Sequence, residues 1–250
     1  MKVYETMALS RSGHHSMKNW IIRNLIGFQI NWDYKLVNAF GTNFYHLGEA
    51  NHDIHLSYKF LDECKNNIDT ILINYEDAPY DYTIFNEDRI YKGPLSLEMR
   101  NHYNIEHKGR LCFIRDFYSN LSSRIRANER AIFSKWDTDE PHLFKVDKTY
   151  IDRWKSHANA CVSNQVSYLK FEDWMVNKVV RDKFIYQTFG IRDHYGIEGI
   201  KGSISSFETW NNVESRHQEL NLNDEIKDLI VYDRDLNYLI DELGYDKIKL

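Results

Sequence analysis

A chain of 250 residues with 42% hydrophobic side chains is long enough to bury a full core, and it reads as one domain, residues 1–250, rather than two. With 37 acidic against 32 basic residues the formal charge is −5. That excludes a general nucleic-acid or membrane-surface binder, because such proteins meet phosphates with a surplus of Lys and Arg.

The first expected element is a strand, Val3 to Leu9. It starts within two residues of Met1, which leaves no room for a signal peptide. A short turn, Ser10 to Gly13, leads into an amphipathic helix with Met17, Ile21 and Leu25 on one face. Buried strands are expected at Thr70 to Tyr75, Arg110 to Ile114 and Val166 to Phe171, where apolar runs such as Leu-Cys-Phe-Ile lack polar alternation. Helical stripes follow on Phe117, Leu121 and Ile125, on Ile151, Trp154, Ala158 and Cys161, and on Val176, Val180 and Phe184. A last helix is expected to start after Asn223, carry Ile226, Ile230 and Leu236 inward, and stop at Gly244. Strands alternating with helices predict an α/β fold, a doubly wound and mainly parallel sheet flanked by helices on both faces. No repeat, low-complexity tract or Pro/Gly/Ser-rich linker interrupts the pattern. Cys64, Cys112 and Cys161 are widely spaced in apolar surroundings and fit core residues of a reducing compartment. No apolar run approaches the ~20 residues of a membrane span, so a cytoplasmic protein is expected.

In such a sheet, ligands sit at the carboxyl ends of the strands. Ser10-Arg11-Ser12-Gly13-His14-His15-Ser16 lies between the first strand and its helix, where backbone N–H groups and the helix dipole favour an anion. Gly13 lets the backbone approach an oxyanion, Ser12 and Ser16 add hydroxyl donors, and Arg11 adds a fixed charge. An ordinary strand-to-helix turn with a Ser cap would carry the same residues. A second motif favours the anion: Arg115 ends the Leu-Cys-Phe-Ile strand and Ser123 follows two helical turns later, a guanidinium fork with a hydroxyl beside it. Arg124, Arg126 and Arg130 add local charge, the last two reading as a solvated helix face.

These motifs resemble those of the sulfotransferases that use 3′-phosphoadenosine-5′-phosphosulfate (PAPS). Arg11-Ser12-Gly13-His14-His15 is similar to the loop that holds the 5′-phosphosulfate in that family, and Arg115-Asp116-Phe117 through Ser123-Arg124 is similar to the motif that holds the 3′-phosphate. Gly202-Ser203-Ile204-Ser205-Ser206-Phe207-Glu208 resembles the late Gly/Ser-rich loop that closes over the nucleotide. The resemblance implies a P-loop-like sheet, PAPS as sulfuryl donor and a hydroxyl-bearing acceptor such as a sugar, a lipid or a small phenol. Cofactor contacts are implied for Arg11, Ser12, Gly13, His14, His15, Ser16, Arg115, Ser123, Gly202, Ser205, Ser206 and Phe207. The chain departs from the family at His14 and His15, where Thr or Ser is usual, and at Phe117, where Pro is usual.

Transfer to a hydroxyl requires a base. Glu76, at the end of the second expected strand, is the first candidate, and Glu49, with His46 before it, is the rival. Neither His14-His15 nor His52-x-x-His55 has the spacing of a zinc site, so no metal is expected. Two alternatives stand beside the sulfotransferase reading. A P-loop nucleotide kinase-like enzyme would need Gly-x4-Gly-Lys-Ser/Thr, and this loop has one Gly and no Lys-Ser/Thr pair. A non-catalytic nucleotide-binding module would bind without turnover.

Overall fold

The computed structural model of the chain describes residues 2–9, 11–26, 42–47, 70–77, 80, 97–133, 146–200, 220 and 222–248. They form five strands, β1 (Lys2–Ala8), β2 (Thr42–Leu47), β3 (Thr70–Glu76), β4 (Glu106–Ile114) and β5 (Ser167–Lys170). Eight helices accompany them among the described residues: α1 (His14–Ile26), α2 (Leu97–His102), α3 (Phe117–Phe133), α4 (Lys148–Val162), α5 (Phe171–Val176), α6 (Lys178–Phe189), α7 (Asp224–Val231) and α8 (Arg234–Glu242). The strands make one open sheet in the order β2-β3-β1-β4-β5, with every neighbouring pair parallel.

Period-two alternation divides the apolar strands between two cores. Leu111 and Phe113 of β4 face Met17, Trp20 and Ile21 of α1, together with Trp174 of α5 and Phe184 and Ile185 of α6. Cys112 and Ile114 face the opposite way, toward Phe117 and Leu121 of α3, Trp154 and Cys161 of α4, and the inward stripes of α7 and α8. Helices therefore cover both faces, which explains why the Leu-Cys-Phe-Ile half of β4 is apolar on both sides.

Four elements differ from the sequence expectation, the first being α2 (Leu97–His102), which is not among the expected helices. β2 is not among the expected strands; its Thr-Asn-Phe-Tyr-His-Leu run mixes polar and apolar residues without alternation and gains its place by pairing with β3, Thr42 to Thr70 through Leu47 to Tyr75. The stripe through Val176 fails because Val176 is 84% exposed. α5 ends there, and Asn177 starts α6 by accepting hydrogen bonds from the Val179 and Val180 N–H groups, which resets the helical phase. The final helix is two helices. Asn223 caps α7 as expected, but Asp233 accepts from Leu236 N–H at 2.9 Å and starts α8 afresh. The stop at Gly244 stands, with its φ at +68°.

The strand order decides where a ligand can sit. From β1 the chain passes to β2 and β3 on one side of the sheet, and from β4 it passes to β5 on the other. The loops after these adjacent strands therefore diverge and leave a crevice between them at the carboxyl edge.

Candidate functional site

The turn after β1 is built by alternating backbone signs. Arg11 has φ +70° and Gly13 φ +80°, with Ser12 between them outside the left-handed region. Such alternation is a backbone geometry in which N–H groups can turn toward an anion. Ser12 N–H donates to the Leu9 carbonyl at 3.1 Å, and the Gly13 carbonyl accepts from Ser16 and Met17 at 3.0 and 3.2 Å, which starts α1. Ser12 Oγ lies 3.3 Å from His14 Nδ1, and the His14 and His15 rings lie 4.0 Å apart. Ser12, His14 and Ser16 are buried. Glycine is required at position 13 for a reason absent from the sequence reading: a Cβ there would lie 2.1 Å from Cε2 of Phe171, the first residue of α5. An aromatic ring occupies the side that a larger residue would need.

Arg115 follows β4 directly. Its Nη1 donates to the Arg11 carbonyl at 3.0 Å, and its guanidinium lies 4.8 Å from the centre of the Phe171 ring. The indole of Trp154 donates to the Arg115 carbonyl at 3.1 Å. Asp116 caps α3, accepting from Ser119 N–H at 2.7 Å. Two turns along α3, Ser123 Oγ accepts from Arg11 Nε at 3.3 Å. Arg11, Arg115 and Ser123, read from the sequence as parts of two separate clamps, thus form one hydrogen-bonded cluster across the crevice. Arg115 and Ser123 are 5% and 8% exposed, so a charge brought to them would act in a setting less screened than water.

Glu76 is the last residue of β3 and aligns with Ala8 of β1, which puts its backbone at the same edge. His46 of β2 aligns with Asn74, one step from that edge. Glu49, Gly202, Ser205, Ser206 and Phe207 lie outside the described residues, as does Ser10.

Two acidic residues lie near the cluster: Asp77, which ends the second expected strand beside Glu76, and Glu172, which the sequence reading missed. Asp77 has φ +56°, and its N–H donates to the Ala8 carbonyl at 3.0 Å, bending the chain over the end of β1. Its carboxylate receives Arg124 Nη1 at 2.8 and 3.0 Å, and the Arg124 guanidinium lies over the Tyr150 ring at 4.7 Å. Arg124 is therefore a buried partner of Asp77 and not a contributor to open surface charge. Glu172, the second residue of α5, accepts from Asp116 N–H through Oε1 and from the Tyr245 hydroxyl through Oε2, both at 3.2 Å. Burial pushes the Glu172 carboxyl above the usual range, against the pull of the Arg115 charge. Burial and the adjoining Glu172 carboxylate likewise raise the Tyr245 phenol. The sequence signal for either acid is weak, because each stands alone at a strand or helix boundary with no repeating pattern.

Cys112 and Cys161 are free and buried in the core. Among the described residues no group of three or more His, Cys, Asp and Glu side chains is arranged to hold a metal, and no helix is long and apolar enough to cross a membrane. No protein-family model, curated protein or solved structure matches the chain.

Proposed function

We propose that the chain is a PAPS-dependent sulfotransferase with a P-loop-like fold, acting in the cytoplasm on a hydroxyl-bearing acceptor. The observation that carries this reading is the Arg11–Ser123–Arg115 cluster, which joins the loops after β1 and β4 at the crevice where the strand connections diverge. The donor set fits a nucleotide with phosphate groups at two positions. The start of α1 and a fixed cation suit the 5′-phosphosulfate, while a buried guanidinium with a hydroxyl near it suits the 3′-phosphate.

In this reading the Ser12–His14 turn and the start of α1 orient the phosphosulfate. The acceptor oxygen attacks sulfur in line, so that an acceptor O–S bond forms as the S–O bond to the phosphate breaks. Arg11 stays protonated and stabilises charge growing on the departing phosphate oxygen. Glu76, at the end of β3, takes the acceptor proton.

Calorimetric titration tests the proposal. Adenosine 3′,5′-bisphosphate is expected to bind more tightly than ATP with magnesium. Arg115→Ala is expected to weaken the bisphosphate by about 1.5–3 kcal/mol, the range for a charge-assisted hydrogen bond, while changing adenosine 5′-phosphate much less. Glu76→Gln is expected to keep bisphosphate affinity and to cut sulfate transfer to a panel of sugars and phenols roughly 100-fold. Preference for ATP overturns the sulfotransferase reading in favour of a kinase-like enzyme. Tight bisphosphate binding without transfer to any hydroxyl would mark a binding module.

A further inference from the structure

We infer that Glu172 is a specificity-determining residue of the anion site, an internal counter-anion that lowers the affinity of the Arg115 clamp for a phosphate group. The inference rests on the proposed function and adds a residue that neither motif contains.

The geometry places one carboxylate across the base of the clamp. Arg115 and Asp116 are consecutive residues between β4 and α3; Phe171 and Glu172 are the first two residues of α5. The Arg115 guanidinium packs on the Phe171 ring at 4.8 Å, and the Asp116 N–H donates to Glu172 Oε1 at 3.2 Å. Glu172 is thereby held against the backbone next to Arg115, close enough for the two charges to interact, and its second oxygen is tied to Tyr245 at 3.2 Å. The other charges around it come from Asp116 at the start of α3 and from Lys170 and Asp173 on its own stretch. Lys170 is turned away, with Nζ donating to the Leu243 carbonyl at 3.1 Å and lying 3.5 Å from Asp173. Arg115 is therefore the cation that Glu172 and an incoming phosphate would share.

Two roles for Glu172 predict opposite results. If it only props up the loop, weakening its hydrogen bonds loosens Arg115 and binding falls for every ligand that uses the site. If its charge competes with the ligand, removing that charge while keeping the acceptor tightens binding of the 3′-phosphate. Glu172→Gln separates them, because a glutamine Oε1 still accepts from the Asp116 N–H. A buried carboxyl whose pKa is already raised is also poised to take up a proton when an anion arrives, which would soften the repulsion at low pH. The comparison therefore belongs at pH 8, on the alkaline side, which favours the charged carboxylate.

Wild type and Glu172→Gln are titrated at pH 8 with adenosine 3′,5′-bisphosphate and with adenosine 5′-phosphate, after circular dichroism confirms the fold. The expected result is bisphosphate binding tightened about fivefold or more, with adenosine 5′-phosphate within twofold of wild type. Unchanged selectivity, or equal weakening of both ligands, overturns the inference while leaving the proposed function standing. A wild type that does not distinguish the two nucleotides, or binds neither, overturns the proposed function and the inference with it. If Glu172→Gln does not fold, Tyr245→Phe replaces it: loss of the phenol donor leaves the Glu172 charge less dispersed, and bisphosphate binding is expected to weaken about twofold relative to adenosine 5′-phosphate. No shift in that variant overturns the inference.

Discussion

Gly13→Ala is expected to be among the most destabilising single-methyl changes in the chain, and its cost divides into two separable parts. The backbone sits at φ +80°, where a Cβ costs roughly 1–2 kcal/mol. The added carbon would also lie 2.1 and 2.3 Å from two atoms of the Phe171 ring. That ring cannot simply retreat, since it packs on Trp174 on one side and beneath the Arg115 guanidinium on the other. Overpacking of this kind costs about 1–3 kcal/mol, so the sum is about 2–5 kcal/mol. For a chain of this size that lowers Tm by roughly 5–20 °C. Denaturant melts followed by circular dichroism and fluorescence measure it, with coincident transitions as the check on two-state behaviour. Phe171→Leu then isolates the steric part. In that background Gly13→Ala is expected to cost only the roughly 1–2 kcal/mol of backbone strain, giving a coupling of about 1–3 kcal/mol between the two positions. A Gly13→Ala penalty below about 1 kcal/mol, or the same penalty with and without Phe171, would refute the packing argument.

Two further changes probe the supports of the site and the outer helices. Arg124→Met strands the Asp77 carboxylate in a buried setting and is expected to cost about 3–5 kcal/mol; adding Asp77→Asn removes the stranded charge and is expected to recover part of that loss in the same denaturant melts. Asp233 carries a pKa below the usual carboxylate value; burial works to raise it, but the Lys155 hydrogen bond at 2.7 Å and the Leu236 N–H outweigh that. A lowered folded pKa means stability present above the unfolded value near 4 and lost as pH falls below it. Asp233→Ala is therefore expected to cost about 1 kcal/mol at pH 7, with the gap to wild type closing below pH 4; a gap that persists at acid pH would show that the charge contributes nothing.

What the sequence disclosed follows from which residues advertise their environment. The end of β4 and most of β1 were legible because segments covered on both faces run apolar, and α7 because Asn223 marks its start chemically. β2 was not, since its place depends on β3, a partner far away in the chain. The break at Asp233 was hidden by two helices that happen to continue one apolar stripe through Ile226, Ile230 and Leu236. Within the site, Arg11, Arg115 and Ser123 were each identifiable from strand-end positions, but their union was not. Neither was Phe171, whose ring decides what residue 13 can be, nor Glu172, whose partners come from α3 and the segment after α8. Pattern reports what a residue needs locally; it does not report which distant side chain will meet that need.

The central position of β1 has a consequence for the birth of the molecule. Lys2–Ala8 is synthesised before any of the strands that will flank it: Thr70–Glu76 on one side and Glu106–Ile114 on the other. Both of its edges stay unpaired while a ribosome adds those segments, and a bare apolar strand is a template for wrong partners. The contact between Arg115 and Arg11 closes a loop of 104 residues, so the crevice is among the late, long-range structures to form. A nascent chain cut short before β4 would lack Arg115 and Ser123, two of the three residues of the cluster, and the strand against which both cores pack.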